Sequence, residues 1–384
     1  MLPLPIYLTS PASPTTIKQA PLKLIHLLFL FFLSSPFHSR SLFQKRTDGT
    51  QHPSDTMKTA EDIDYEAVTR HNLATITHTL NSGNKIPVMG LGTWRADPEK
   101  LKDAIKQAVR FGYRHIDCAR INGNEKQVGE ALRELFSQGV VDRQHLFITS
   151  KAFPDRYGEK ARQSRTESLQ ELGLDYLDLL LIDWPIRIQN DPLPQPLWDD
   201  QGNLHPDLKI SEEFMDTWKV FEKLKQEGKV KDIGVSNFNK RQIEEILGNS
   251  NTVPAVNQIE VHPFLPQTEL CEYCREKGIA VEAFSPLGSA DNTLVQRMNL
   301  PKILEHPVVK EIAKEIEATE AQVLLRWSLE KGYIPIFGST EIEHIKGNAR
   351  ALDFVLRQRH MERLDGLGGE NVRYVPGFLP LIRA

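Results

Sequence analysis

With 384 residues, 40% hydrophobic and 26% charged, and a formal charge of −4, the chain has room for one large barrel and lacks the basic excess of a nucleic-acid binder. Three cysteines, Cys118, Cys271 and Cys274, are too few for a disulfide framework, which points to a reducing compartment or to no role for disulfides. Residues 1–56 differ in kind from the rest. An apolar run, Leu24 to Leu33, follows Lys18 and Lys23. It has the proportions of a secretory signal, is too short to span a bilayer comfortably, and lacks a clean cleavage site. The favoured alternative is translation from Met57, which would leave the product in the cytoplasm. On either reading residues 1–56 are an extension, disordered or signal-like, and the folded domain is 57–384.

After Met57 the stretch THTLNSGNKIPV alternates and turns at Asn81, Ser82 and Gly83, which predicts a β-hairpin. Short apolar strands are then expected near 88–91, 114–117, 146–150, 178–182, 231–235, 255–259, 279–284 and 334–337. Between them run amphipathic stretches such as PEKLKDAIKQAVRFG, whose apolar residues recur at three and four. Strands alternating with helices in this way predict an α/β fold, a parallel (β/α)8 TIM barrel. Two long excursions, Ile186 to Ile210 and Ser289 to Leu304, follow the fourth and seventh strands and are expected to shape a pocket. Cys271 and Cys274 form a CxxC without the second ligand pair a zinc site needs, and are read as two positions on one helix.

Three expected strands end on an ionisable residue: Asp117, Lys151 and Asp183. In a parallel barrel the C-terminal strand ends share one mouth, so these three side chains should converge. The words around them are VMGLGTW (88–94), HIDCARINGNE (115–125), ITSK (148–151), LLLIDWP (179–185), GVSNF (234–238), NQIEVHP (257–263) and FSPLGS (284–289). In order and spacing, from about Thr75 to about Tyr374, the chain resembles the aldo-keto reductases.

The resemblance implies a hairpin that closes the bottom of the barrel, an NADP or NAD cofactor, and reduction of aldehydes and ketones. The family's tetrad of Asp, Tyr, Lys and His falls on Asp117, Asn122, Lys151 and Asp183, so two of the four are replaced. An amide cannot give up a proton near neutral pH, and removing a general acid typically costs about 10² to 10⁴ in rate. Carbonyl reduction is therefore expected to be weak or lost, with a cofactor-binding pseudoenzyme or scaffold as the alternative. An enone reductase using Asp183 is less favoured, because the family branch with an acidic residue there keeps its Tyr. The resemblance also places Ser236, Asn237 and Gln258 on the nicotinamide carboxamide and Phe284 against its ring. Thr93, Asp117, Ser285 and Leu287 are expected near the ribose and pyrophosphate, and Ser339, Thr340, His344 and Asn348 at the adenosine end. There Gly338 and His344 replace the Lys and Arg that grip the 2′-phosphate, which weakens the preference for NADP; a protonated His344 could regain part of it, and Lys346 is close in sequence. Trp94, Phe153 and Trp184 match aromatic pocket positions.

A barrel hydrolase using Asp183, Glu260 and Glu282 is a weaker reading, since Glu282 sits mid-strand. A metal site at His115 and Asp117 is weaker still, because no second histidine pair follows, and no metal is expected. The expected partner is a small carbonyl substrate if the protein is active, acting on a monomer with no nucleic acid and no stable membrane span.

Overall fold

In the computed structural model, residues 73–194, 197, 204–289, 295–296 and 299–375 are described. The extension 1–56 lies outside them. Among the described residues the first strands form the hairpin β1 (Thr77–Thr79) and β2 (Lys85–Pro87), paired antiparallel with Thr77 opposite Pro87. Gly83 sits at φ 86° in its turn, a conformation that costs glycine little.

Eight parallel strands follow: β3 (Gly90–Gly92), β4 (His115–Asp117), β5 (Phe147–Ala152), β6 (Leu177–Ile182), β9 (Val230–Ser236), β10 (Val256–Glu260), β11 (Ala280–Phe284) and β12 (Ile334–Gly338). They close in that order into a barrel, β12 pairing back onto β3. All eight lie within two residues of the expected spans. The helices alternate with them as α1 (Pro98–Phe111), α2 (Glu125–Ser137), α3 (Lys160–Leu172), α4 (Met215–Gln226), α5 (Lys240–Asn249), α6 (Thr268–Glu276), α7 (Pro307–Glu315), α8 (Glu320–Glu330), α9 (Ile342–Ala349) and α10 (Gln358–Asp365). The pattern of α1 explains itself: Asp97 caps it by accepting from Glu99 N at 3.0 Å, Pro98 opens it, and Gly112 closes it at φ 113°. Cys271 and Cys274 both lie on α6, buried and free.

The hairpin plugs the N-terminal end of the barrel. Leu80 and Ile86 pack with Phe147, Ala280 and Ile334, the first residues of β5, β11 and β12. Asn81 and Asn84 then tie it down, donating to Pro254 O at 2.9 Å and to the Asp232 carboxylate at 2.8 Å. With the hairpin packed across this end, the strand ends of the opposite, C-terminal face form the shared mouth.

The excursion after β6 folds back as a two-stranded ribbon, β7 (Arg187–Ile188) against β8 (Ile210–Ser211). Its apolar residues Ile186, Ile188 and Leu197 bury Phe153 and Trp184 in a small core of their own.

Between α2 and α3 the backbones touch. A Cβ on Gly129 would lie 2.2 Å from Glu171 O and 2.7 Å from Leu172 C, both main-chain atoms that cannot swing aside. Gly129→Ala is therefore expected to lower stability by about 3 kcal/mol, as overpacking against rigid neighbours does. A urea melt of the variant that overlays the native curve would show that the two helices separate freely.

Candidate active site

The mouth is built from strand ends, as the spacing predicts. Asp117 is the last residue of β4, Lys151 the last but one of β5, and Asp183 the first residue beyond β6. All three are buried, Asp183 with 8% of its surface exposed.

Lys151 Nζ donates to both Asp117 carboxylate oxygens, at 2.8 and 2.6 Å, and to Cys118 O at 3.1 Å. An ammonium has three N–H donors, so these contacts use its full complement. Burial pushes its pKa down, but Asp117, Asp183 and Glu282 outweigh that and hold it above the usual lysine value. The lysine is charged and fully committed.

Asn122 lies in the turn between β4 and α2. Its Nδ2 donates to Thr93 Oγ1 at 3.2 Å, while its buried Oδ1 has no hydrogen-bond partner. Thr93 in turn donates to Asp117 O at 3.1 Å and is fully buried, so its hydroxyl is spent inside the protein. Asp183 makes no hydrogen bond or ion pair with its carboxylate among the described residues. Burial raises its pKa to about 6, with Lys151 opposing and Asp117 adding to the shift. An unprotected surface carboxylate would titrate two units lower.

Beneath the mouth lies Glu282, in the middle of β11. Gln258 uses its Nε2 twice, donating to Asp117 Oδ1 at 2.9 Å and to Glu282 Oε2 at 2.6 Å. Glu282 is fully buried, and its other oxygen, Oε1, has no hydrogen-bond partner. It stands 3.7 Å from His115 Nε2, which pairs instead with Thr149 Oγ1 at 3.0 Å. Burial and repulsion from Asp117 push Glu282 up to about 8, and burial pushes His115 down to about 4. At neutral pH both are therefore largely uncharged, and the 3.7 Å contact is no ion pair. Strand register brings the two together: on neighbouring strands Gln258 stands opposite Glu282.

Ser236 Oγ donates to Gln258 O at 2.9 Å, and Asn237 Nδ2 donates to Asp183 O at 3.0 Å. Asn237 holds φ 64°, a left-handed conformation that asparagine tolerates better than most. Both amide N–H groups of Gln258 and of Asn237 are thus turned onto the protein, Asn237 Nδ2 also donating to Ser236 Oγ at 3.2 Å. Phe284 ends β11 half-buried, beside Ser285, whose hydroxyl lies 2.6 Å from that of Ser289. Leu287 packs against the core.

The aromatic positions divide. Phe153 and Trp184 are buried under the β7–β8 excursion, and Phe153 with Leu193, Ile121 and Gly123 lines a shallow pocket of about 320 Å³. Trp94 is 45% exposed, with the Arg95 guanidinium 5.4 Å over its ring. At the other end of the mouth, Ser339 Oγ accepts from Glu341 N at 3.1 Å, and Thr340 is half-buried. His344 is exposed and Asn348 buried. Lys346 is paired with Glu343 at 3.9 Å and Lys100 with Glu341 at 3.1 Å. The nearby lysines are thus accompanied by carboxylates.

Glu260 serves a different purpose. Its carboxylate accepts from Tyr374 N at 2.6 Å and Val375 N at 3.2 Å, tying the C-terminal segment to β10. His262 Nε2 lies 3.1 Å from the same group. No cluster of three metal-ligating side chains occurs among the described residues. Nor is any helix there long and apolar enough to cross a membrane.

A profile described as the Aldo/keto reductase family matches residues 88–368. The chain belongs to this family. Among relatives, aldo-keto reductase family 1 member A1 of Sus scrofa is 40% identical over 298 residues, covering 77% of this chain and 90% of that protein. An aldo/keto reductase of Synechocystis is 41% identical over 300 residues, covering 78% of this chain and 90% of the other. Among solved structures, the aldose reductase of Schistosoma japonicum is similar with a TM-score of 0.70 at 38% identity, covering 79% of this chain and 95% of that one. A Bombyx mori aldo-keto reductase, solved in complex with NADP, reaches a TM-score of 0.70 at 33% identity, covering 78% and 94%. The closed eight-stranded parallel barrel described above fits this membership.

Proposed function

We propose that this protein binds a nicotinamide nucleotide in the family's manner and reduces carbonyls weakly or not at all. The observation that carries this reading is the state of Lys151. In the proposed chemistry a bound cofactor supplies hydride, and the protein must supply a proton to the alkoxide oxygen. A phenol beside a lysine ammonium does that because the ammonium lowers its pKa. Here the three Lys151 donors go to Asp117 and Cys118 O, and the neighbouring Asn122 amide goes to Thr93. No side chain in that arrangement holds a transferable proton next to the lysine.

The binding half of the site suits the group. The carbonyl oxygens of Gln258 and Asn237 can accept from a carboxamide NH₂, Ser236 fixes the strand end between them, and Phe284 offers a flat face. At the adenosine end Gly338 and His344, with Glu341 and Glu343 nearby, support acceptance of NAD at little disadvantage to NADP. The Asp183 carboxyl is the one group in the mouth with a pKa suited to acid catalysis near pH 6, which keeps an enone reductase as the second reading. The proposed folded domain is 57–384, with 1–56 as an extension.

The test is to measure binding and turnover on the same protein. Calorimetric titration should show a nicotinamide nucleotide binding. Turnover of an activated aldehyde such as 4-nitrobenzaldehyde should fall at least about 100-fold below the 1 to 10 per second usual for such enzymes. Rapid steady-state reduction would sink the reading.

A further inference from the structure

From the charge balance of the mouth we infer that this site is a receptor for the oxidised, cationic form of the nicotinamide ring, and discriminates against the reduced, neutral form. The inference rests on the proposal that a nicotinamide nucleotide binds here. Lys151 and Asp117 face each other at 2.6 Å and cancel. Asp183 is the group left over. It is buried to 8% exposure and its carboxylate has no hydrogen-bond or ion-pair partner among the described residues, while the nearest cation is already committed. A buried carboxylate without a partner is costly, and a cation brought beside it relieves that cost.

The second observation is the aromatic rim. Phe284 ends β11, three strands round the barrel from β6, at whose end Asp183 stands. A flat ring laid on Phe284 has an aromatic face on one side and a carboxylate across the mouth. That pairing suits an aromatic cation better than a neutral ring. A pyridinium carries the positive charge that a dihydropyridine lacks, and the two forms of the cofactor otherwise present the same groups to the site. Comparing them therefore isolates the ring charge: the adenosine end, with His344, Lys346, Glu341 and Glu343, contributes equally to both.

The groups that face Asp183 and could titrate against it are Asp117 on β4 and Lys151 on β5. Glu282 on β11 and His115 on β4 lie deeper, around Gln258. Burial holds Asp183 protonated up to about pH 6, so the site gains its unbalanced charge as pH rises through that value. Glu282 ionises higher, near 8, and pushes in the same direction. His115, pushed down to about 4, adds no opposing charge in that range. A bound cation favours the ionised carboxylate, so by linkage its binding near pH 6 must release protons.

The experiment is isothermal titration of the full-length protein with NAD⁺, NADH, NADP⁺ and NADPH at pH 5, 6.5 and 8, each in two buffers of different ionisation enthalpy. At pH 8 each oxidised form should bind at least about tenfold more tightly than its reduced partner, a ratio worth 1.4 kcal/mol. At pH 5 the ratio should shrink to about threefold or less, and near pH 6 each oxidised form should release more protons than its reduced partner. Asp183→Asn should collapse the ratio at pH 8 toward the native value at pH 5. Should that variant fail to fold, the pH series on the native chain still decides. Equal affinity for both forms at every pH, or tighter binding of the reduced form at pH 8, would overturn the inference while leaving the cofactor-binding proposal in place. Failure of all four nucleotides to bind would instead remove that proposal, and this one with it.

Discussion

Asn122→Tyr combined with Asp183→His raises carbonyl reduction at least about 100-fold over the native chain, the lower edge of what a positioned general acid contributes. The barrel mouth keeps the Lys151–Asp117 pair at 2.6 Å, so a phenol placed at residue 122 would again stand beside a buried ammonium. The tyrosine must also compete for Lys151, which in the native chain spends a donor on Cys118 O at the longest of its three contacts, 3.1 Å. That is the bond expected to yield. An imidazole at 183 can orient the same substrate oxygen, and because both groups act on one atom their effects are not additive. Asn122→Tyr alone should give less than the pair, and Asp183→His alone should be nearly silent. Steady-state assays with 4-nitrobenzaldehyde check this. A double variant that binds cofactor but stays inactive would mean that the pocket around Phe153 and Trp184 no longer admits the substrate.

Stability should fall as pH rises from 5 to 9, and Glu282 should be the main cause. The sign follows from the direction of the shift. An acid whose pKa in the folded state is raised, here from 4.5 to about 8, holds its proton more tightly when folded. Its contribution is fully present below the unfolded value and is lost as pH climbs through the folded one. A shift of that size corresponds to at most roughly 5 kcal/mol between those limits, at 1.36 kcal/mol per unit. Glu282→Gln removes the charge and keeps an oxygen to accept from Gln258. The variant should match the native protein near pH 5 and exceed its stability by on the order of 3 kcal/mol at pH 9. Urea denaturation at both values measures this. A native stability that is flat across the range would show that Glu282 ionises freely despite its burial.

The two predictions draw on different levels of the molecule. The restoration rests on residues whose place could be read from the chain. Short apolar runs bounded by turn residues locate strands to within two positions, and a parallel barrel sends every strand's C-terminal end to one face. Asp117, Lys151 and Asp183 could therefore be brought together from sequence spacing. The hairpin was legible for the same reason, since alternation about an Asn-Ser-Gly turn is a local signal.

What only the tertiary structure decided concerns who bonds to whom inside the barrel. Glu282, discounted because it lies mid-strand, proved to be a neighbour of the site. Interior residues from adjacent strands form layers, and register, which depends on the whole barrel closing, sets Gln258 opposite Glu282. Trp184 and Phe153 went under the β7–β8 excursion because its apolar residues needed a core, which no local pattern foretells. The charge of the mouth belongs to this level as well. Residue types give one lysine among several acids, but Lys151 turns all its donors onto Asp117 and Cys118 O and leaves Asp183 buried without a partner. Ionisation in a protein depends on burial and on neighbours distant in the chain, and those exist only once the strands have closed.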